Sequence, residues 1–171
     1  MLSVSQIAAI TLVLVACVPD LRSRRIPNVL TLGAAVVALV FHAVTSGFSG
    51  LVVSAGGWLL GAALFFPIFA LRGMGAGDVK LLAAVGAWLG PGQVLWVALI
   101  TSVVGGVLGL VVAAFYGYLR AAISNLFALL MQWRVSGIRP MEELTLSGAR
   151  GPRLAYAVPI AVGTLVTLWL K

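Results

Sequence analysis

The sequence predicts an all-α fold: a polytopic transmembrane bundle of six helical spans with both termini outside. Three observations carry that reading. Of the 171 residues, 62% are hydrophobic and only 9% are charged, against about 25% charged in a soluble domain. The charge-free stretches are long: none of Asp, Glu, Lys or Arg occurs in 1–19, 26–71, 81–119 or 154–170. The basic residues are also distributed asymmetrically. Arg22, Arg24, Arg25, Arg72, Lys80, Arg120, Arg134, Arg139, Arg150 and Arg153 fall in or beside the connections after the first, third and fifth spans, and only Lys171 falls on the other side.

Each span follows from the apolar runs and their punctuation, and together they form a single membrane-embedded domain over 1–171. The first covers about 4–19. The 46 residues of 26–71 exceed the roughly 20 that cross a bilayer. They therefore divide into spans at 28–44 and 51–71 around the polar turn Thr45-Ser46-Gly47-Phe48-Ser49-Gly50. A short fourth span, 77–89, ends at Gly90-Pro91-Gly92, a strong turn signal. The fifth covers 93–118 and the sixth 154–170. The segment 119–153 holds most of the remaining charge. Its first part, 119–135, mixes Arg120, Asn125, Gln132 and Arg134 with apolar residues, as a surface-lying helix or an extension of the fifth span would. Gly57 and Gly61, and Gly105 and Gly109, are spaced for close helix packing in lipid. The basic side is cytoplasmic by the positive-inside rule, which puts the chain in the cytoplasmic membrane.

The net charge of +7 does not indicate a nucleic-acid partner, because the basic residues are few and lie between apolar spans. One cysteine, Cys17, excludes an internal disulfide or a multi-cysteine metal site. Leu14-Val15-Ala16-Cys17 looks like a lipoprotein cleavage site, but the first basic residue, Arg22, comes after the apolar run rather than before it. Cys17 is expected to be a packing residue. His42, within the second span, is expected to make a buried hydrogen bond.

Candidate chemistry rests on the acidic residues, of which there are four. Glu142 and Glu143 follow Pro140 and suit a solvated helix start. Asp20 ends the first span and Asp78 opens the fourth, so the topology puts both at one depth on one side. Ionisable groups at such positions are costly and read as functional. Two facing carboxyls can share a proton, the neutral one acting as acid while the ionised one activates water. The alternative is that each is an interfacial charge paired with Arg22 or Lys80.

The flanking residues bear on that choice. Gly75-Ala76-Gly77-Asp78, followed by Val79-Lys80-Leu81-Leu82, resembles the G-x-G-D signature of intramembrane aspartic peptidases. Asp20-Leu21-Arg22-Ser23-Arg24-Arg25-Ile26-Pro27-Asn28 resembles the segment around the first catalytic Asp of type IV prepilin peptidases. Tyr156-Ala157-Val158-Pro159-Ile160-Ala161-Val162-Gly163 looks like the final span of short members of that family. The resemblance implies an aspartic endopeptidase that removes the leader from a prepilin at the cytoplasmic face, with no cofactor and no metal. Longer members carry an insertion with paired C-x-x-C motifs, associated with N-methylation and absent here. The chain therefore resembles the peptidase-only branch serving Flp/Tad-type pili, without methyltransferase activity.

The resemblance implies that Asp20 and Asp78 are catalytic. Gly75 and Gly77 would let the backbone turn sharply and let an extended substrate approach. Lys80, Arg22 and Arg25 would support the site or contact substrate, and Pro27 and Asn28 would start the second span. Helix ends suggest a division of labour: Asp78 at a helix N-terminus as the base, Asp20 at a C-terminus as the acid. Preflagellin peptidase is a cousin that these motifs do not separate. Two rival readings come from other classes. A small proton- or ion-coupled transporter would use both aspartates as ion sites, and a scaffold protein would use neither.

Overall fold

The computed structural model describes residues 2–71, 73–136 and 154–170, and among them every element is a helix. Helix α1, Val4–Ser23, opens with a reciprocal cap. The Gln6 N–H donates to Ser3 Oγ at 3.3 Å and the Ser3 N–H donates to Gln6 Oε1 at 2.9 Å, a capping box. The expected end at Pro19 is one turn early. Proline removes one N–H and disfavours the helix interior, yet α1 continues to Ser23, whose hydroxyl donates to the Pro19 carbonyl at 2.8 Å. Asp20 therefore lies inside the last turn.

Helix α2, Asn28–Ala70, replaces the two expected helices and their six-residue turn. The break narrows to Gly47, at φ 63° and ψ −152°, a conformation that only glycine adopts readily. The chain folds back there. In a straight helix residues 42 and 50 would be about 12 Å apart, yet a Cβ on Gly50 would strike the His42 carbonyl. The two arms, 28–46 and 48–70, clasp helix α3, Ala76–Leu89. Lys80 reaches Asn28 and Trp88 reaches His42, so the first arm runs parallel to α3. Gly61 lies against Leu82 and Ala83, and Gly57 against Gly86, so the second arm runs antiparallel.

Helix α3 is the centre of the bundle: ten of its fourteen residues are buried. Its approach to α2 is backbone on backbone, because a Cβ on Gly57 or on Gly86 would run into the other's carbonyl oxygen. Its C-terminal carbonyls need partners and find them on neighbouring residues. The Gly90 N–H donates to Gly86 O at 2.8 Å, Ser54 Oγ to Ala87 O at 2.8 Å, and His42 Nε2 lies 3.2 Å from Trp88 O. A carbonyl only accepts, so His42 carries its proton on Nε2. This is the expected hydrogen bond of His42.

Helix α4, Pro91–Phe115, starts two residues earlier and ends three earlier than the expected 93–118. The turn contracts to Gly90, and Pro91 takes the first helical position, which suits proline. Gly117, at φ 74°, then separates α4 from helix α5, Leu119–Ser136. The stretch 119–135 is thus a helix of its own, not a straight extension of the fifth span. Helix α6, Ala157–Trp169, is shorter than the expected 154–170 and packs on α4 and α1. Cys17 is half-buried and packs against the core. Arg72, Arg139, Glu142, Glu143, Arg150, Arg153 and Lys171 lie outside the described residues, as does the side chain of Arg134.

Three helices, α1, α2 and α4, are long and apolar enough to cross a membrane. Helices α3 and α6, at 14 and 13 residues, are about 20 Å long against a hydrocarbon core of about 30 Å. Replacing Gly86 by Ala is expected to destabilise the protein by about 1–3 kcal/mol, the usual cost of overpacking, because the backbone it meets has nowhere to go. Gly56→Ala, with open space around it, is expected to be neutral. Thermal unfolding in detergent compares the two.

Candidate active site

Both aspartates are buried at the same end of the bundle. Asp20 is 4% exposed and Asp78 9%. The Asp20 backbone carbonyl accepts from the Arg24 N–H at 2.9 Å, and Arg24, at φ 53°, ends α1 in the left-handed region. That conformation costs a non-glycine residue roughly 1–2 kcal/mol. The chain then places Ile26, itself buried, on Gly77. The end of α1, the strap after it and the start of α3 thus converge. Helix α1 packs on both α3 and α6.

Each carboxyl has one oxygen held by a main-chain donor. Asp78 is the third residue of α3 and its Oδ2 accepts from the Gly75 N–H at 3.2 Å. Asp20 Oδ2 accepts from the Ala157 N–H at 2.9 Å, at the first turn of α6. Neither Oδ1 has a protein partner among the described residues. The pairing of either aspartate with Arg22 or Lys80, the alternative open in the sequence, does not occur among them. Lys80 Nζ instead donates to Asn28 Oδ1 at 2.9 Å, and Arg22 is exposed in the last turn of α1.

The remaining candidates divide into those at the pair and those away from it. Gly75 and Gly77 adjoin Asp78. Gly75 has ordinary extended angles, φ −79° and ψ 149°, and neither glycine has a positive φ. The sharp backbone turn expected of them is absent, and their contribution is room. A Cβ on Gly75 would lie 3.2 Å from Asp78 Oδ2, and one on Gly77 would lie 3.3 Å from Ile26 Cβ. Pro27 caps α2 as expected, with its carbonyl accepting from Leu30 and Thr31, while Asn28 ties to Lys80. Arg25 is exposed and makes no contact with the pair among those described.

The helix-end assignment of acid and base needs correction. Asp78 is at a helix N-terminus as expected. Asp20, however, lies in the last turn of one helix and against the first turn of another. The dipole of α1 disfavours its anion while that of α6 favours it, so helix ends no longer separate the two roles. Sequence reading singled out the run 156–163 but gave it no part in the site. A backbone amide carries no residue-type signature, so nothing in the residues marks Ala157. Tyr156, whose ring packs on Gly105, was equally unmarked.

These features define a helical, multi-pass membrane protein with a buried carboxyl pair at one end of its bundle. The chain belongs to the Type IV leader peptidase family, which it matches over residues 7–110. It is 40% identical over 101 residues to the prepilin leader peptidase/N-methyltransferase of Xanthomonas campestris pv. campestris, covering 53% of this chain and 33% of that one. It is 37% identical over 98 residues to the protein of the same name from Legionella pneumophila, covering 54% and 34%. With that of Burkholderia pseudomallei strain 1026b the identity is 47% over 57 residues, 33% and 18% of the two chains. The chain thus spans about a third of the length of the first two of these relatives. No solved structure matches it.

Gly77→Val is expected to push Ile26 away from α3 and lower the unfolding temperature in detergent, with a cost of about 1–3 kcal/mol. Ile26→Ala in the same chain is expected to recover most of that loss. Failure of the second change to help would show that Ile26 is not what limits the space at Gly77.

Proposed function

We propose that this chain is an aspartic endopeptidase that removes the leader from a type IV prepilin, of the Flp/Tad type, at the cytoplasmic face of the membrane. One observation carries the reading. Two aspartates, on α1 and α3, are buried at the same end of the bundle, each with one oxygen tied to a main-chain amide. Family membership and the prepilin leader peptidases among its relatives support it further.

In the proposed reaction a water lies between the two carboxyls. One carboxylate takes a proton from the water as its oxygen attacks the scissile carbonyl carbon. The other carboxyl gives its proton to the carbonyl oxygen. Collapse of the tetrahedral species breaks the C–N bond: the leaving nitrogen receives a proton from one carboxyl, and a hydroxyl on the former carbonyl carbon returns one to the other, which restores the single shared proton.

The six-span arrangement with both termini outside belongs to the same proposal. The arms of α2, 28–46 and 48–70, are each near span length, about 28–35 Å, which supports counting them separately. The short α3 would then begin below the membrane surface, and Arg22, Arg24 and Arg25, exposed at the site end, support a cytoplasmic setting for that end.

Co-expression with a Flp-type prepilin tests the reading. Leader removal, seen as a gel shift, is expected for the wild-type chain and is expected to fall below detection in Asp20→Asn and in Asp78→Asn. Cleavage retained by either variant would sink the mechanism.

A further inference from the structure

The amide that holds Asp20 comes from a residue 137 positions away in the chain. Ala157 is fully buried and Asp20 nearly so. The first N–H groups of a helix have no partner within it, so the Ala157 amide is free to donate outward. An anion is favoured at that place.

The turn that carries this amide is fixed from another side. The Tyr156 ring packs on Gly105 of α4, where a Cβ would lie 3.1 Å from Tyr156 Cε1. Gly163 of α6 leaves no room for a Cβ against Thr101 and the Val97 carbonyl. Thr101 Oγ1 donates to the Pro159 carbonyl at 3.4 Å. Helix α6 therefore cannot slide along α4 without leaving Asp20, and its register sets where the amide points.

We propose that the first turn of α6 is a working part of the site, with the Ala157 N–H as a positioning group that fixes Oδ2 of Asp20 and leaves Oδ1 for the attacking water and the shared proton. The inference rests on the peptidase reading. A backbone N–H donates but cannot accept, so it never competes for the proton that the pair passes. On the other side Gly75 does the same for Asp78. With one oxygen of each carboxyl held, rotation of the two groups is limited and the Oδ1 atoms, without a partner among the described residues, keep one orientation. Small misplacements at a reacting centre lower rates by as much as a hundredfold.

The direct test removes the amide and nothing else. Lactic acid incorporated in place of Ala157 gives an ester of the same shape without the N–H. The purified chain is assayed in lipid nanodiscs on a synthetic peptide with a basic leader ending in Gly before an apolar helix. The ester variant is expected to lose kcat by about tenfold or more, the size expected for a hydrogen bond to a charged group. Its KM should stay near wild type, and Ala157→Gly, which keeps the N–H, should retain kcat. An ester variant with unchanged kcat would overturn the inference. So would matching losses of kcat and stability in both Ala157 variants, the mark of a purely structural role. Asp20→Asn, run alongside, separates the two levels. If it cleaves, the peptidase reading fails. If it is inactive while the ester variant works at full rate, only the role of the amide fails.

Discussion

The structure depends on enclosing a helix too short to stand alone. Helix α3 has fourteen residues, ten of them buried. In a lipid setting apolar contact gives little drive for helices to associate, so tight packing and satisfied polar groups must hold it. The contact of Gly57 with Gly86 brings two backbones together, and Ser54 and His42 donate to the carbonyls at the far end. The near end is closed by Ile26 and by the Lys80–Asn28 bond. Asp78 is therefore positioned by the fit of a whole helix. That fit, more than any feature of the aspartate itself, decides where its carboxyl lies.

Much of this was legible in the sequence because apolar runs, Gly and Pro speak plainly. The helical class, the short α3, the turn at Gly90-Pro91 and the likeness around Asp20 and Asp78 could all be read there. The misses have local causes. Pro19 suggested a helix end, but α1 runs one turn past it to Ser23. The polar run 45–50 suggested a loop, but a single glycine at positive φ reverses the chain. Composition also marked six apolar runs, while three helices reach span length. One of these is the folded α2, whose two arms composition had counted separately.

The site was half legible for a different reason. Side chains announce their chemistry by type, and the two aspartates were found that way. A main-chain amide has no type. Reasoning from helix ends saw Asp20 only at the end of its own helix, because its contact with α6 spans 137 positions. The stretch that matches the family, residues 7–110, contains both aspartates but not α6. Tertiary packing thus adds a donor from beyond the stretch that matches the family.

If the two carboxyls pass one proton between them, Asp20 and Asp78 act as one acid rather than as two neighbours. Infrared titration with isotope-labelled aspartate measures this directly, because the protonated and ionised carboxyls absorb separately. Changing Asp20 to Asn is expected to displace the step at which Asp78 ionises. Carboxyls that each titrate in the same way whether or not the other is present would contradict a shared proton.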